Sequence, residues 1–212
     1  RAEIDSDPVD ATVDFLPGNS VPFRFTDERE GRRLSTDALR ERIEASILSL
    51  TPVTETLKPE AVKPQVYRAE LEGAIVLRSR IVVPLSGSEA AQANAALAAA
   101  ALNGLRVDTG ETLSFNQTVG LRTSEAGYQA AEEPAYGQNV SGVGGGVCQV
   151  STALYRLALL GGLEIGERNA AVYPVDYCDV GQEAAVSDQG LDLKIVNSTG
   201  MPVFLTARVY AD

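Results

Sequence analysis

The chain has 212 residues, of which 44% are hydrophobic and 22% are charged, a composition typical of a folded globular protein. Its formal net charge of −11 argues against nucleic acid and anionic membrane surfaces as partners, because both repel a strongly acidic protein. No apolar run approaches the ~18 residues of a membrane span, so we expect any membrane anchor to lie outside these residues.

The sequence contains no histidine and only two cysteines, Cys148 and Cys178. Two thiols cannot supply the usual four ligands of a structural zinc site, so we expect neither a metal nor a cofactor. Nucleophilic catalysis that relies on a histidine base within this chain is excluded. Any acid–base step must therefore use other side chains.

The first elements read as a small sheet followed by a helix. Two strand-like runs, residues 11–15 and 21–25, flank the turn signal of residues 17–19 and predict a hairpin. Apolar residues then recur every three or four positions from Leu39 to Leu50, after a Ser-Thr-Asp run that can cap a helix. We expect this amphipathic helix to pack on the small sheet.

A domain boundary is expected in the middle of the chain. Prolines in residues 51–72 interrupt regular structure and favour extended segments joined by turns. The β-branched run at residues 74–84 predicts a strand, and Ser88 then caps an alanine-rich helix that ends at Asn103-Gly104. The predicted domains are residues 1–84 and residues 85–212.

The chain ends in two strand-like runs, residues 191–196 and 203–210, joined by an Asn-Ser-Thr-Gly turn that predicts a hairpin. We therefore expect an α+β fold. A small N-terminal α+β unit would precede a domain of twisted antiparallel strands with the alanine-rich helix and a second helix that begins at Cys148.

A glycine run, Gly-Val-Gly-Gly-Gly-Val, leads directly into Cys148 and the helix that follows it. Unpaired amides and the positive end of the helix dipole favour a thiolate, so we expect a thiol pKa below its free value of about 8.5. The glycines also let backbone N–H groups approach a reacting carbonyl oxygen closely, which is the geometry of an oxyanion hole. A phosphate loop is disfavoured because no Lys-Ser or Lys-Thr follows, whereas a structural cysteine in a tight turn stays open.

The segment GVGGGVCQVSTALY, preceded by LSFNQTVGLRT and followed by YPVDY and LDLKIVNSTGMPVFL, resembles the VanW domain family over about residues 85 to 210. Residues 1–84 resemble the peptidoglycan-binding module that often precedes such domains. The resemblance implies an exported, cell-envelope protein, often membrane-anchored. Some VanW domains are implicated as cysteine-dependent L,D-transpeptidases that crosslink peptidoglycan stem peptides.

Site residues follow from this resemblance position by position. Cys148 would be the nucleophile, and Gly145 and Gly146 would donate to the oxyanion together with the amide of Cys148. Arg122 is the expected partner of a substrate carboxylate, because guanidinium groups bind carboxylates bidentately. The residues expected to bind substrate or shape the site are Asn116, Arg122, Gln149, Ser151 and Tyr177.

The chain departs from the family pattern at positions where the family has histidine. Ala170-Ala171 stands where the family has a histidine, and Ala91 and Ala93 stand where it usually has arginine and histidine, while Asn94 is retained. The usual general base is therefore missing. A catalytic and a non-catalytic interpretation both stay open.

Three accounts of the cysteine compete. In the first, the helix dipole and Arg122 maintain a thiolate, and Asp176, Tyr173 or Tyr177 handles the proton during L,D-transpeptidase-type acyl transfer through a Cys148 thioester. In the second, Cys148 forms a disulfide with Cys178 in an oxidising exterior. In the third, the chain is a non-catalytic peptidoglycan-binding or scaffolding protein.

Overall fold

The computed structural model describes residues 4–52, 54, 56, 58–135 and 138–210. Within these ranges helices are mixed with short strands, and every paired strand is antiparallel, which confirms the expected α+β class. Two compact units divide the chain, Arg1–Val76 and Leu77–Asp212. Residues 77–84, which the sequence pattern assigned to the first domain, belong to the second unit. Every described helix is too short or too polar to traverse a bilayer.

The first unit opens with the predicted hairpin. Strand β1 (Thr12–Phe15) pairs with β2 (Phe23–Thr26), and the ring centroids of Phe15 and Phe23 lie 5.2 Å apart. Aromatic contact across the strand ends stabilises this pairing. The other elements of the unit are β3 (Gly31–Arg33), α1 (Asp37–Ser49), β4 (Glu60–Val62), which pairs with β3, and α2 (Arg68–Ala74).

The predicted helix is present as α1, but its predicted packing on the sheet is wrong. Ile43 is 42% exposed and Ile47 is 66% exposed. Leu50 ends the helix in a left-handed conformation, with φ of 52°, and is 90% exposed. The residues of β1 and β2 are likewise exposed or only partly buried, so the hairpin is not covered by a packed helix face.

The second unit contains the predicted alanine-rich helix and the predicted helix at Cys148. The first of these begins at Ser88, whose hydroxyl accepts a hydrogen bond from the amide of Ala91 at 3.3 Å. The elements of this unit are α3 (Glu89–Leu102), β5 (Leu105–Val107), β6 (Thr112–Ser114), α4 (Phe115–Val119), β7 (Ala130–Ala135), β8 (Gln138–Val143), α5 (Val147–Leu160), β9 (Glu164–Glu167), β10 (Lys194–Val196) and β11 (Val203–Leu205).

The core of the second unit lies between α3, α5 and the sheet that contains β10. Ala95 and Ala98 of α3, Phe115 and Leu193 are fully buried, and Leu154 of α5 belongs to the same cluster. Small alanine side chains let α3 approach α5 closely, as the sequence indicated. The first turn of α5 lies at the edge of this core, beside the start of α3.

The predicted C-terminal hairpin is wrong. Strand β10 pairs with β6 and β9, whereas β11 pairs with β5 in a different sheet. Asn197, which is 1% exposed, donates its side-chain amide to the carbonyl oxygens of Val107 and Met201, both at 2.8 Å. These two hydrogen bonds fix the connection so that its flanking strands join separate sheets.

Residues 74–84 do not form the predicted strand. Helix α2 continues to Ala74, and the residues after it are extended without a paired strand. Instead, Nε of Arg78 donates to the carbonyl of Gly161 at 2.9 Å, and the hydroxyl of Ser79 donates to the carbonyl of Leu157 at 3.0 Å. The segment is thus held on the C-terminal end of α5 by side chains, which strand propensity does not reveal.

Candidate active site around Cys148

Cys148 is the second residue of α5 and is partly exposed. The residue that precedes the helix, Gly146, has φ of 100°, and a side chain there would collide with the carbonyl of Ala91. Only glycine adopts this left-handed geometry at low cost, so the glycine ends the loop and starts the helix. The structure places Cys148 at a helix N-terminus, as the sequence predicts.

The preceding glycines let the loop pass close to its neighbours. A Cβ on Gly144 would lie 2.7 Å from the Cβ of Arg122, and a Cβ on Gly145 would lie 2.8 Å from the carbonyl oxygen of Ala131. Cβ atoms are essentially never found this close to non-bonded atoms, so a larger residue at either position would force the neighbouring atoms to move. The glycine loop is therefore a tightly packed structure.

Asn94 shapes this loop, although the sequence patterns did not identify it as a site residue. It is fully buried on α3, and its Nδ2 donates to the carbonyls of Gly145 and Gln129, both at 2.9 Å. Its Oδ1 accepts a hydrogen bond from the amide of Gln129 at 2.8 Å. An asparagine on the buried face of an alanine-rich helix is the signal that points to such a role.

Two loop amides are candidates for oxyanion donors. The amide of Val147 donates to Gly144 at 3.2 Å and the amide of Gln149 donates to Gly146 at 3.1 Å. In the described part of the chain, no hydrogen bond is found for the amides of Gly145 and Gly146. Gly146 is partly exposed and Gly145 is buried, so Gly146 is the more accessible donor.

The sulfur of Cys148 faces a hydrogen-bond acceptor. Its thiol donates to the carbonyl oxygen of Val186 at a sulfur–oxygen distance of 3.5 Å. A carbonyl acceptor favours the protonated thiol, whereas the N-terminal end of α5 favours the thiolate. The two influences act on the same sulfur in opposite directions.

Tyr177 lines a cleft along α5 together with Gln149 and Thr152, within electrostatic reach of the same sulfur. Burial raises the pKa of its hydroxyl well above the ordinary value, the nearby sulfur of Cys148 raises it further, and a hydrogen bond with Thr152 lowers it. The phenol therefore stays protonated at neutral pH. The neighbouring residue, Asp176, is exposed, and no hydrogen bond or ion pair of its carboxylate is found among the described residues. The structure brings Tyr177 to Cys148 and leaves Asp176 at the surface.

Arg122 is buried and already paired. Its side chain is 6% exposed, and its Nε lies 2.9 Å from the carboxylate of Asp188. Its Nη1 donates to Oδ1 of Asn116 at 2.9 Å and to the carbonyl of Gly120 at 3.4 Å. A substrate carboxylate that binds Arg122 has to replace or join Asp188.

Gln149 and Ser151 hold neighbouring segments in place. The side-chain amide of Gln149 exchanges hydrogen bonds with the backbone of Ser86, accepting at 2.8 Å and donating at 3.0 Å. The hydroxyl of Ser151, which is fully buried, donates to the carbonyl of Ala184 at 2.6 Å, and Thr152 accepts from the amide of Ala184 at 3.0 Å. These contacts position the backbone around the first turn of α5.

Neither cysteine forms a disulfide in the structure, so the disulfide account does not describe this state. Burial and the Glu183 carboxylate raise the pKa of Cys178 above its ordinary value. Glu183 is itself buried and accepts hydrogen bonds from Arg168 at 3.0 Å and from the amide of Gly181 at 2.6 Å. Cys178 therefore lies in a setting that disfavours its thiolate.

A narrow cleft runs along α5 next to Tyr177. Its walls leave no room for a water molecule. The residues that line it are Val83, Pro84, Gln149, Thr152, Ala153, Arg156 and Tyr177. Of the residues expected to bind substrate, Gln149 and Tyr177 line this cleft. Arg122 packs against Gly144 of the glycine loop, and Asn116 is hydrogen-bonded to Arg122.

These features define an α+β protein with a cysteine at the start of a helix that follows a glycine loop. The family model described as VanW like protein matches residues 90–212, more than half of the chain. The chain belongs to the VanW family. The match does not extend to the first unit, whose likeness to a peptidoglycan-binding module stays a prediction.

Two relatives share this region. Over 125 residues the chain is 37% identical to the uncharacterized protein YoaR of Bacillus subtilis (strain 168), which covers 59% of this chain and 41% of the relative. Over 111 residues it is 35% identical to the vancomycin B-type resistance protein VanW of Enterococcus faecalis (strain ATCC 700802 / V583), covering 50% of this chain and 40% of the relative. The alignments thus span about two fifths of each relative. No solved structure matches the chain.

Proposed function

We propose that this protein acts at the cell envelope as a cysteine-dependent acyltransferase of the L,D-transpeptidase type, with peptidoglycan stem peptides as substrates. The observation that carries the proposal is a partly exposed cysteine at the N-terminus of α5, directly after a glycine loop with available amides. Such a setting lowers the cost of a thiolate and of an oxyanion. VanW family membership and the likeness to a vancomycin resistance protein support an envelope function.

The proposed reaction has two steps. The sulfur of Cys148 attacks the carbonyl carbon of the peptide bond before the terminal D-residue of a donor stem peptide. The carbon–nitrogen bond breaks, a thioester forms, and the thiol proton ends on the departing amine. An amine of an acceptor stem peptide then attacks the thioester, so that a new amide forms and its proton returns to the sulfur. The amide of Gly146 stabilises the oxyanion in both steps.

Tyr177 is the proposed proton relay in the absence of a histidine. Its hydroxyl is close enough to Cys148 to feel its charge, and it stays protonated because burial raises its pKa. A neutral phenol both donates and accepts hydrogen bonds, so it can take the thiol proton while it gives its own to the departing amine. Asp176 is the alternative proton acceptor. Loss of transfer in Tyr177→Phe but not in Asp176→Asn assigns the relay to Tyr177, and the reverse result assigns it to Asp176.

The proposal is tested by looking for the thioester. We expect incubation with a stem tetrapeptide to add an acyl mass to the intact protein, as measured by mass spectrometry. Cys178→Ala is the matched control, because it removes the other thiol and should form the same adduct. Cys148→Ala should form none. If the folded, reduced wild-type protein forms no adduct with either a tetrapeptide or a carbapenem, the enzymatic proposal is rejected.

The second candidate function is non-catalytic binding of wall peptides. It is favoured by the Val186 carbonyl on the thiol of Cys148, which stabilises the unreactive form, and by the absence of histidine. In this case a stem peptide binds the wild-type protein and Cys148→Ala with equal affinity in calorimetry, and no adduct forms. A large loss of affinity in Cys148→Ala would contradict it.

A further inference from the structure

A short segment after Cys178 contacts the sulfur of Cys148 at one end and is held by hydrogen bonds at the other. We name residues 186–192 the strap. At one end the carbonyl of Val186 accepts the hydrogen bond from the thiol at 3.5 Å. At the other, the carboxylate of Asp192 accepts from the hydroxyl of Ser114 at 2.6 Å and from the amide of Asn116 at 2.9 Å. The strap is therefore an ordered part of the site.

The middle of the strap is held by an asparagine and an arginine. Nδ2 of Asn116 donates to the carbonyls of Ser187 at 3.1 Å and Leu191 at 2.8 Å. The carboxylate of Asp188 pairs with Nε of Arg122 at 2.9 Å and accepts from the backbone amide of Arg122 at 3.1 Å. The Arg122 side chain is 6% exposed and that of Asp188 is 27% exposed. Asp188 thus places a carboxylate of the chain itself on a buried guanidinium.

Exchange of this carboxylate would loosen the strap. A buried guanidinium needs an anionic partner, because an unpaired charge out of water is costly. A peptide carboxylate offers the same two oxygens as Asp188 and can satisfy Arg122 equally well. Asp188 is the more exposed member of the pair, and it is only two residues from Val186, so its displacement removes an anchor next to the carbonyl that contacts the thiol.

We propose that the strap is a carboxylate-responsive cover of Cys148, in which Asp188 holds the Val186 carbonyl on the thiol until a ligand carboxylate replaces it on Arg122. The inference rests on the proposed function for the identity of that ligand, the C-terminal carboxylate of a stem peptide. Control of the thiol by the strap needs no acyl transfer. Substrate binding and release of the nucleophile are then a single event.

The first test measures the rate at which iodoacetamide alkylates Cys148 at pH 7, by peptide mass spectrometry. We expect Asp188→Asn to react roughly tenfold faster than the wild type, the change that accompanies about one unit in thiol pKa. The matched control is Asp108→Asn, which removes an exposed partner of Arg106 at 2.8 Å and should leave the rate unchanged. An unchanged rate in Asp188→Asn, with circular dichroism like the wild type, overturns the proposal.

A double variant separates strap release from the effect of a bare cation. Asp188→Asn leaves Arg122 unpaired, and its charge alone would favour a thiolate. Arg122→Gln combined with Asp188→Asn removes both charges, and the proposal expects this protein to react as fast as Asp188→Asn. A return to the wild-type rate in the double variant would overturn the strap.

The second test uses the unaltered protein and does not depend on how any variant folds. Acetyl-D-alanine should accelerate alkylation of Cys148 saturably, and acetyl-D-alaninamide, which lacks the carboxylate, should not. Equal effects of the two compounds contradict the proposal. If the protein responds to the carboxylate but forms no thioester, the strap proposal is supported and the enzymatic proposal is rejected. If the protein forms the thioester while acetyl-D-alanine leaves its alkylation rate unchanged, only the strap proposal is rejected.

Discussion

The thiol of Cys148 lies 3.5 Å from the carbonyl oxygen of Val186, and this contact opposes the effect of the helix end on the same sulfur. The first turn of α5 presents amides and a positive dipole that favour the thiolate. The carbonyl favours the thiol. Reactivity of Cys148 therefore depends on how firmly Val186 is held, and Val186 is separated from the Asp188–Arg122 ion pair by a single residue.

The two thiols are expected to differ in reactivity. Cys178 should react slowly near neutral pH, because burial and the carboxylate of Glu183 raise its pKa. Cys148 should be labelled faster, and the pattern should be the same with and without reductant, because neither cysteine forms a disulfide. Time-resolved iodoacetamide labelling with peptide mass spectrometry measures both rates. Equal, slow labelling of the two would contradict an activated Cys148.

Gly146→Ala should destabilise the protein more than Gly162→Ala. Both glycines have positive φ, 100° and 67°, so both substitutions carry the cost of about 1–2 kcal/mol for a left-handed side chain. At Gly146 the new methyl group also meets the backbone of Ala91, whereas at Gly162 the space is open. Urea unfolding of the two variants gives the difference. Equal free energies of unfolding would mean that the loop accommodates the new methyl group without a loss of stability.

Asn94→Ala should lower the free energy of unfolding by about 1–3 kcal/mol, because it leaves buried backbone groups without hydrogen-bond partners. Those groups are the carbonyls of Gly145 and Gln129 and the amide of Gln129. Gln92→Ala on the exposed side of the same helix is the control and should change stability by less than about 0.5 kcal/mol. A similar small effect for both variants would show that the loop does not depend on Asn94.

Glu183 should make stability depend on pH in the acid range. Its folded-state pKa is lowered, chiefly by backbone hydrogen bonding and with a contribution from Arg168. A lowered carboxyl pKa stabilises the folded state above the unfolded value of about 4.3, and this contribution disappears as pH falls through the folded pKa. The stability gap between wild type and Glu183→Gln should therefore shrink as pH falls below about 4.3 and through the lowered folded-state pKa. A gap independent of pH in urea unfolding would contradict the assignment.

A fragment of residues 77–212 should fold alone, because Leu77–Asp212 forms a compact unit. A fragment of residues 85–212 should be less stable, since it lacks the bonds that Arg78 and Ser79 make to the end of α5. Thermal unfolding followed by circular dichroism compares the two. Equal melting temperatures would indicate that residues 77–84 contribute nothing, and an unfolded longer fragment would contradict an independent unit.

Local patterns in the sequence determined the helices and the immediate setting of Cys148. Spacing of apolar residues, a serine cap and closing glycines act within a few residues of one another, so α3, α5 and the hairpin of β1 and β2 could be predicted. The requirement for glycine before Cys148 is likewise local, because a helix that starts from a left-handed residue needs it.

Only the tertiary structure decided which distant groups meet at the sulfur. Alternation of apolar and polar residues predicts a strand but not the strand it pairs with. The prediction that β10 and β11 pair with each other was therefore wrong. Tyr177 and Asp176 are adjacent in sequence, yet the tyrosine is partly buried within electrostatic reach of Cys148 and the aspartate is exposed. The pairing of Arg122 with Asp188 joins residues far apart in the chain. Such contacts form because burial of a charge or a phenol requires a partner, and the folded chain, not the local pattern, brings that partner within reach.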